Sequence, residues 1–197
     1  GHTMLVLAVV RDWCDGALDT AQKSAHEQRI VEYADYYVAA QGLDVFHDDM
    51  QNVWSAVALA GLALAGTAQD AKAQSYLTAA DQQWKQVIFP AMAHEGDWWH
   101  EGFVYVQPVL GSLAWYALAW TTATDEDIFA WAESNAKDLF NGYIAFHAYA
   151  LRPDSHYVYF GDTATPKQSV ELFSRYLIDI FTTGTGSPMP WCSPRTW

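Results

Sequence analysis

Basic residues are scarce in this chain. Its 197 residues include 10 Lys and Arg against 23 Asp and Glu, which gives a formal net charge of −13, and no Lys or Arg occurs between Lys85 and Lys137. Binding to nucleic acid or to an anionic membrane surface requires clustered Lys and Arg side chains. The composition therefore predicts that neither nucleic acid nor a membrane is a partner.

Cysteine is also rare. Cys14 and Cys192 are the only two cysteines, they lie near opposite ends of the chain, and they form neither a CxxC pair nor a metal-ligand pattern. Two free thiols or one disulfide are both compatible with this spacing, so the redox compartment stays open.

The sequence also lacks a signal-peptide pattern and any hydrophobic run with the basic flanks of a membrane span. The most apolar segment, 103–123, is interrupted by residues that weaken a spanning helix: Gln107, Pro108, Gly111 and Ser112. Residues 1–3 look like a cloning remnant before Met4. We expect a helical domain over 4–184 and an irregular tail, rich in Gly, Pro and Ser, over 185–197.

Aromatic residues, by contrast, are abundant. The chain has ten Trp, eleven Tyr and nine Phe, and 51% of its residues are hydrophobic, which argues for one folded domain with a sizeable core. A loop dense in aromatic and titratable side chains, HEGDWWHEGFVYVQP, runs from His94 to Pro108. Aromatic faces often line sites for sugars, but they also plug the ends of helical cores. The sequence leaves both interpretations of this loop open.

Helix signals recur along the whole chain. Capping residues that stand three positions before an acid or amide occur at Asp19, Thr67, Thr124 and Thr165. Together with the 3.6-residue periodicity they predict helices over 4–17, 20–41, 51–65, 68–91, 107–123, 125–148 and 166–183. Short connections between several of them favour antiparallel hairpins.

The predicted helices are of two kinds. The segments 53–66 and 108–120 are apolar on every side, so they must be buried on most sides. The helices over 68–91 and 125–148 instead carry their apolar residues on one face. Buried and amphipathic helices therefore alternate, as they do in two concentric layers. The sequence predicts an all-α fold, an incomplete α/α toroid of about seven helices built as antiparallel hairpins.

Four local strings resemble one family of enzymes. They are LAVVRDWCDGAL (Leu7–Leu18), QNVWSAVALAGLALAG (Gln51–Gly66), GDWWHEGFVYVQPVL (Gly96–Leu110) and YVYFGDTATP (Tyr157–Pro166). In order and rough spacing they are similar to the helical domain of the heparinase II/III-like polysaccharide lyases and their alginate lyase relatives. The resemblance implies an α/α toroid, a secreted or periplasmic location, and cleavage of uronic-acid-containing glycans by β-elimination, a reaction that needs no cofactor.

The resemblance also implies site residues. Tyr105 matches the catalytic tyrosine of the family, and Asn52 matches the asparagine that neutralises a uronate carboxylate. His100 or His156 would be the acid–base partner of Tyr105. The expected partner is an oligo- or polysaccharide, with these substrate-binding candidates: Trp54, Trp98, Trp99, Glu101 and Gln107. Of these, the two adjacent tryptophans are the candidates for stacking on sugar rings.

Several of these residues also have a structural interpretation. Asn52 stands where it could cap the helix that starts beside it, and Tyr105 could close the start of an inner helix. Glu101 is expected to bond backbone groups near the next helix start. The HDD string at 47–49 offers metal-ligand chemistry, but near-consecutive ligands rarely point at one ion, so no metal site is predicted.

Departures from the family pattern keep two other functions open. Val53 stands where a second asparagine is expected, and a uronate polymer would meet repulsive carboxylates in the aromatic loop: Glu95, Asp97 and Glu101. A glycoside hydrolase that pairs Glu101 with Asp97 or Asp49 would act on neutral sugars instead. The third alternative is a helical module without catalysis that binds sugars or another protein.

An incomplete ring of helices also leaves an open edge. Three hairpins and one helix do not close a toroid, so apolar side chains of the inner helices would face irregular chain or a partner: Val57, Leu62, Leu110 and Trp115. A second copy could cover such a surface, so the sequence predicts a homodimer through this edge.

Overall fold

The computed structural model describes residues 2–40, 46–95, 100–136 and 139–150, together with residues 152, 153, 158 and 161. Over these residues the chain is all-α, as predicted, and contains no strand. The helices are α1 (His2–Trp13), α2 (Thr20–Ala39), α3 (Asp48–Leu64), α4 (Asp70–Gln83), α5 (Phe89–Glu95), α6 (Phe103–Ala123), α7 (Ile128–Asn135) and α8 (Leu139–Ala150). Among the described residues, no helix is both long enough and apolar enough to cross a membrane.

The helices differ from their predicted bounds in several places. Helix α1 ends at Trp13 and not at residue 17, and α6 begins at Phe103 and not at residue 107. The helix predicted over 68–91 is continued by a π-helical turn, Trp84–Ile88, which joins α4 to α5. The helix predicted over 125–148 is divided into α7 and α8, although its predicted apolar stripe is buried at Ile128, Ala132, Ala136, Leu139 and Tyr143. Helix α3 begins three residues earlier than predicted. The helix predicted over 166–183, and the tail over 185–197, lie outside the described residues.

Of the three predicted helix caps that lie among the described residues, one is confirmed. Asp19 and Gln22 form the predicted capping box at the start of α2, and Gly66, with φ +72°, stands just after the end of α3.

Thr67 is not the cap of α4, because the N-cap position is Gln69, whose side chain makes no capping hydrogen bond, and the hydroxyl of Thr67 donates to the carbonyl oxygen of Leu64. Helix α7 is capped by Asp127, not by Thr124, so the predicted start was one turn too early. The hydroxyl of Thr124 instead donates to the last turn of α6, because a Ser or Thr hydroxyl can serve either helix end.

The inner helices α3 and α6 lie side by side and run in the same direction. A hydrogen bond between the backbone of Asp48 and the side chain of Glu101 joins their N-terminal ends. Their C-terminal halves line one groove together with the end of α1. Both helices are buried along most of their length, as their apolar composition predicts. This arrangement is compatible with two layers of hairpins, and closure into a toroid stays a prediction.

A glycine allows α3 and α4 to pack closely. A Cβ atom built on Gly61 would lie 2.7 Å from Cγ of Leu77 and 3.2 Å from the carbonyl oxygen of Ala73. Gly61→Ala should therefore lower the free energy of unfolding by about 1–2 kcal/mol, because overpacking outweighs the higher helix propensity of alanine. Chemical denaturation would measure the change. Gly16→Ala is the control, since no atom lies within 4 Å of its added Cβ. Equal effects of the two substitutions would contradict the packing argument.

Much of the aromatic content belongs to the core. The rings of Trp84 and Tyr116 stack with centroids 4.5 Å apart, and Phe89 contacts both rings. Trp120 extends this cluster along α6 at 5.5 Å from Tyr116. These residues join the π-helical turn and α5 to the inner helix α6. The aromatic excess therefore reflects helix packing at these positions and not a ligand pocket.

A basic side chain links two carboxylates beside this aromatic cluster. The Nζ atom of Lys85 lies 2.7 Å from both carboxylate oxygens of Glu126 and 2.5 Å from Oδ1 of Asp81. It also lies 6.0 Å from the ring centroid of Trp120 and 5.5 Å from that of Trp131. Burial lowers the pKa of Lys85, but the two carboxylates outweigh burial and raise it. The ammonium group thus ties the α4–α5 segment to the loop between α6 and α7.

The first hairpin is held by a second ionic group. Arg11 is buried, and its Nε and Nη2 atoms donate to Oε1 of Glu27 at 3.0 and 2.8 Å. Asp15 pairs with Arg11 as well, and it accepts from Nζ of Lys23 at 2.8 Å. These contacts join α1 to α2 at the end of the first lyase-like string. The polar residues there have a structural role.

Candidate functional site

The N-terminal ends of α3 and α6 meet a third segment of the chain. The backbone N–H of Asp48 donates to Oε2 of Glu101 at 3.3 Å. Gly161 lies against the same place, because a Cβ built on it would be 2.7 Å from the carbonyl carbon of Glu101 and 2.8 Å from the nitrogen of Gly102. Segments that are far apart in sequence therefore converge. We call Asp48, Asn52, His100, Glu101 and Tyr105 the α3–α6 site.

Two glycines make this close approach possible. Gly102 has φ +94° and precedes α6, and Gly161 has φ +56°. Left-handed backbone of this kind favours glycine, because a Cβ atom would clash with the following carbonyl. The carbonyl oxygen of Gly102 accepts from the backbone nitrogens of Tyr105 and Val106, both at 3.1 Å. Gly102, which follows Glu101, and Gly161, which follows Phe160, thus allow the backbone conformation at the start of the helix that carries Tyr105.

The site is acidic. Burial is the main cause that raises the pKa of Asp48, and the negative charges of Glu101 and Asp49 raise it further, while His47 lowers it. Glu101 accepts a backbone hydrogen bond at a helix start, as expected, but the helix is α3 and not the one that follows it. The sequence reasoning did not anticipate that Asp48 is the carboxylate beside Glu101.

The raised pKa of Asp48 has a consequence for stability. The folded chain holds this proton more tightly than the unfolded chain, so the contribution of Asp48 is favourable at low pH. That contribution is lost as the pH rises from the ordinary aspartate value through the raised one. Asp48→Asn should therefore raise the melting temperature at neutral pH, and this advantage should vanish in acid. Melting curves across pH would test the prediction.

The control for Asp48→Asn is Asp12→Asn, at an exposed position near the end of α1. Its carboxylate is exposed to solvent, so this substitution should leave the melting temperature close to that of the wild type. A lower melting temperature for Asp48→Asn at neutral pH would contradict the prediction, and would mean that the carboxylate stabilises the first turn of α3.

One group of side chains at this end has metal-ligand chemistry. One ligand atom of each of His47, Asp48 and Asp49 lies within 4.8 Å of the other two. However, His47 is the N-cap of α3, and its Nδ1 accepts from the backbone nitrogen of Asp49 at 3.2 Å. The lone pair that would bind an ion is therefore already used. A metal could be held here only if this helix cap were broken.

Asn52 lies in the second turn of α3 and does not cap the helix, so the capping alternative is wrong. Its Nδ2 donates to the carbonyl oxygen of Asp48 at 3.2 Å, and its Oδ1 accepts from the hydroxyl of Ser112 at 2.5 Å. A second serine, Ser55, donates to the carbonyl oxygen of Ser112 at 2.6 Å. A short polar network thus crosses an otherwise apolar contact between α3 and α6.

Only some of the remaining predicted site residues lie in the part of the chain that the structure describes. Tyr105, in the first turn of α6, is half-buried against the core, and its hydroxyl makes no hydrogen bond to another described residue. Trp54 also packs against the core, and the ring of His100 lies edge-on to Phe46 at 6.0 Å. The other predicted groups lie outside the described residues: Trp98, Trp99, Asp97, His156 and the side chain of Gln107.

A separate groove lies at the other end of the inner helices. It has a volume of about 370 Å³ and is lined by the C-terminal halves of α1, α3 and α6. Trp13 and Trp115 line it and are 73% and 39% exposed. Leu62 lines it too, whereas Val57 and Leu110 are buried within the chain. Of the four residues predicted at the open edge, only two thus remain available to a partner.

The sequence reasoning missed Asp48, which belongs to the α3–α6 site, and Ser112, which contacts Asn52 of that site. Asp48 was considered only as a metal ligand, because the contact with Glu101 spans 53 positions and no local pattern encodes it. Ser112 was read only as an interruption of an apolar segment. A hydroxyl in a helix that is buried all round must find a hydrogen-bond partner. That rule could have directed attention to Ser112.

Comparison of the chain with known protein families, curated proteins and solved structures finds no match. The resemblance to the heparinase II/III-like lyases therefore depends on the four sequence strings, and the comparisons give it no support.

Proposed function

We propose that the chain is a glycan-degrading enzyme that acts at the α3–α6 site by β-elimination next to a uronic acid. One observation carries the proposal: the segments around Asn52, Tyr105 and Gly161 meet at one place. These segments belong to the three strings that resemble the NNH or NNW, EG and FGD segments of the lyases. If the three strings were similar to the lyases by chance alone, there would be no reason for them to lie together in the fold.

The chemistry assigns a role to each side chain. Elimination removes the proton on the carbon beside the uronate carboxylate, and it breaks the bond to the leaving sugar oxygen, which takes up a proton. Tyr105 would be the base or acid, with His100 or His156 as its partner. Asn52 would bind the carboxylate and stabilise its enolate-like charge, because one N–H of its amide has no partner among the described residues. These steps require no cofactor.

A second candidate is hydrolysis of neutral glycans. Asp48 has a raised pKa, as a general acid requires, and it lies beside Glu101, which would be the base or nucleophile. This pair adds to the pairs of Glu101 with Asp97 or Asp49 that the sequence suggested. The excess of carboxylates favours this candidate, because a neutral sugar meets no repulsion there.

Product analysis tests these proposals. The chain would be incubated with uronate polymers and with neutral polysaccharides, and products would be followed by ultraviolet absorbance and by reducing ends. Elimination forms unsaturated ends that absorb in the ultraviolet, whereas hydrolysis forms reducing ends without unsaturation. Only the first result supports the lyase proposal. If none of these glycans is cleaved but sugar binding is retained, both enzyme proposals are contradicted and a binding module is supported.

The groove at the opposite end of the helices is the surface we propose for association of two copies. Two of its apolar residues, the exposed Trp115 and the half-buried Leu62, belong to the open edge that the sequence predicts. Self-association there would leave the α3–α6 site accessible, because the groove begins at Leu59, about 10 Å further along α3 than Asn52 at the helical rise per residue.

A further inference from the structure

The hydroxyl of Ser112 faces the side chain of Asn52. Ser112 is buried in α6, and its Oγ lies 2.5 Å from Oδ1 of Asn52 and 2.8 Å from the carbonyl oxygen of Pro108. A serine in a helix ordinarily donates to the carbonyl four residues earlier. Here that bond alone would leave two oxygen lone pairs facing each other at 2.5 Å. The hydroxyl of Ser112 therefore donates its proton to Oδ1 of Asn52.

The contact at the other end of the Asn52 amide favours the same orientation. Its Nδ2 faces the carbonyl oxygen of Asp48 at 3.2 Å, and a carbonyl oxygen can only accept. If the amide were rotated by half a turn, its own oxygen would face that carbonyl oxygen and repel it. The observed orientation is the one in which both contacts are favourable. Ser112 and Asp48 thus hold the amide from opposite sides.

We propose that Ser112 is a positioning residue that holds Asn52 with its nitrogen toward the α3–α6 site. This inference rests on the proposed function, in which Asn52 binds the substrate carboxylate through an N–H group. An amide held by the carbonyl of Asp48 alone would rotate more often and then present its oxygen to the carboxylate, and two oxygens repel. Loss of the Ser112 hydroxyl should therefore weaken stabilisation of the enolate-like charge without any direct contact between Ser112 and substrate.

The same helix contact contains a matched control. Ser55 is also fully buried between α3 and α6, and its hydroxyl donates to a backbone carbonyl at 2.6 Å. Its removal disturbs the packing and hydrogen bonding of the two helices to a similar degree, but it does not touch Asn52. A purely structural role for these hydroxyls predicts equal effects of Ser55→Ala and Ser112→Ala.

The first experiment observes the amide directly. In ¹⁵N-labelled protein, the side-chain NH₂ signal of Asn52 would be assigned by its loss in Asn52→Asp. We expect its hydrogen exchange to be about fivefold faster in Ser112→Ala, the factor that corresponds to one lost hydrogen bond. It should be unchanged in Ser55→Ala. If Ser112→Ala does not fold, Ser112→Cys can be measured in its place. Cysteine keeps the shape of serine but is a weak hydrogen-bond donor, so the same faster exchange of the Asn52 amide is expected.

The second experiment measures turnover of a uronate polymer. Ser112→Ala should lower kcat about tenfold with little change in KM, because the amide acts mainly on charge that develops in the transition state. Ser55→Ala should leave both constants unchanged. Unchanged exchange of the Asn52 amide in the Ser112 variants, or equal effects of Ser55→Ala, would overturn the inference. Absence of turnover by the wild-type chain would instead overturn the proposed function, and the exchange data would still decide whether Ser112 positions Asn52.

Discussion

Lys85→Met should lower the free energy of unfolding by about 2–3 kcal/mol. The side chain of Lys85 is 16% exposed and lies between the carboxylates of Asp81 and Glu126. Removing the cation leaves two partly buried negative charges close together, and breaking a fully buried pair costs about 3–5 kcal/mol. The carboxylates are about one-third exposed, so solvent screening reduces this figure. Chemical denaturation monitored by circular dichroism would measure the loss.

Lys72→Met provides a matched control, because Lys72 lies on α4 and Lys85 lies in the π-helical turn that continues it. Lys72 pairs with Asp35 at 2.8 Å, a distance similar to those around Lys85, but both side chains are 47% exposed. An exposed ion pair contributes about 0.2–1 kcal/mol, so this variant should be almost as stable as the wild type. Similar losses in the two variants would show that burial of the ammonium group does not govern its contribution.

The fold class could be predicted from the sequence because the distribution of apolar residues around each helix indicates how deeply that helix is buried. Helix α3 is built of small apolar residues on every side, and it lies in the centre with neighbours on both flanks. The outer segment 125–148 has one apolar stripe, and that stripe is buried. Its division into α7 and α8 was not predicted, since the stripe continues across the break with the same spacing.

The aromatic residues show where the sequence reasoning reached its limit. Their abundance is compatible with a sugar site and with a packed core, and the structure stacks Trp84 against Tyr116 in the core. Composition records how many rings a chain has but not which way they face. Periodicity places Trp84 on the buried face of its helix and would have been the better guide.

The candidate site was only partly predictable for a related reason. Tyr105 and Asn52 were found because they stand in recognisable strings. The contact of Asp48 with Glu101 and that of Ser112 with Asn52 join residues 53 and 60 positions apart. Such contacts depend on the register between α3 and α6, which side-chain packing sets and a single sequence does not show.

Tyr105→Phe should reduce β-elimination at least about 100-fold, the lower range for loss of a general acid or base. The hydroxyl of Tyr105 makes no hydrogen bond to another described residue, and its ring is half-buried against the core. Phenylalanine keeps the ring, so the free energy of unfolding should change by less than about 0.5 kcal/mol. A loss of turnover would then report the chemistry of the hydroxyl and not a change in the fold.

The control is Tyr149→Phe, at a position 88% exposed on α8, and it should leave turnover unchanged. Turnover of uronate polymers would be followed by the ultraviolet absorbance of unsaturated ends, and stability by denaturation of the same preparations. Full activity of Tyr105→Phe would remove Tyr105 from the mechanism. If Asp48→Asn and Glu101→Gln each abolished release of reducing ends from neutral glycans, the acid–base work would belong to the carboxylate pair at the same helix ends, because each substitution removes a proton-transferring group and keeps the side-chain shape.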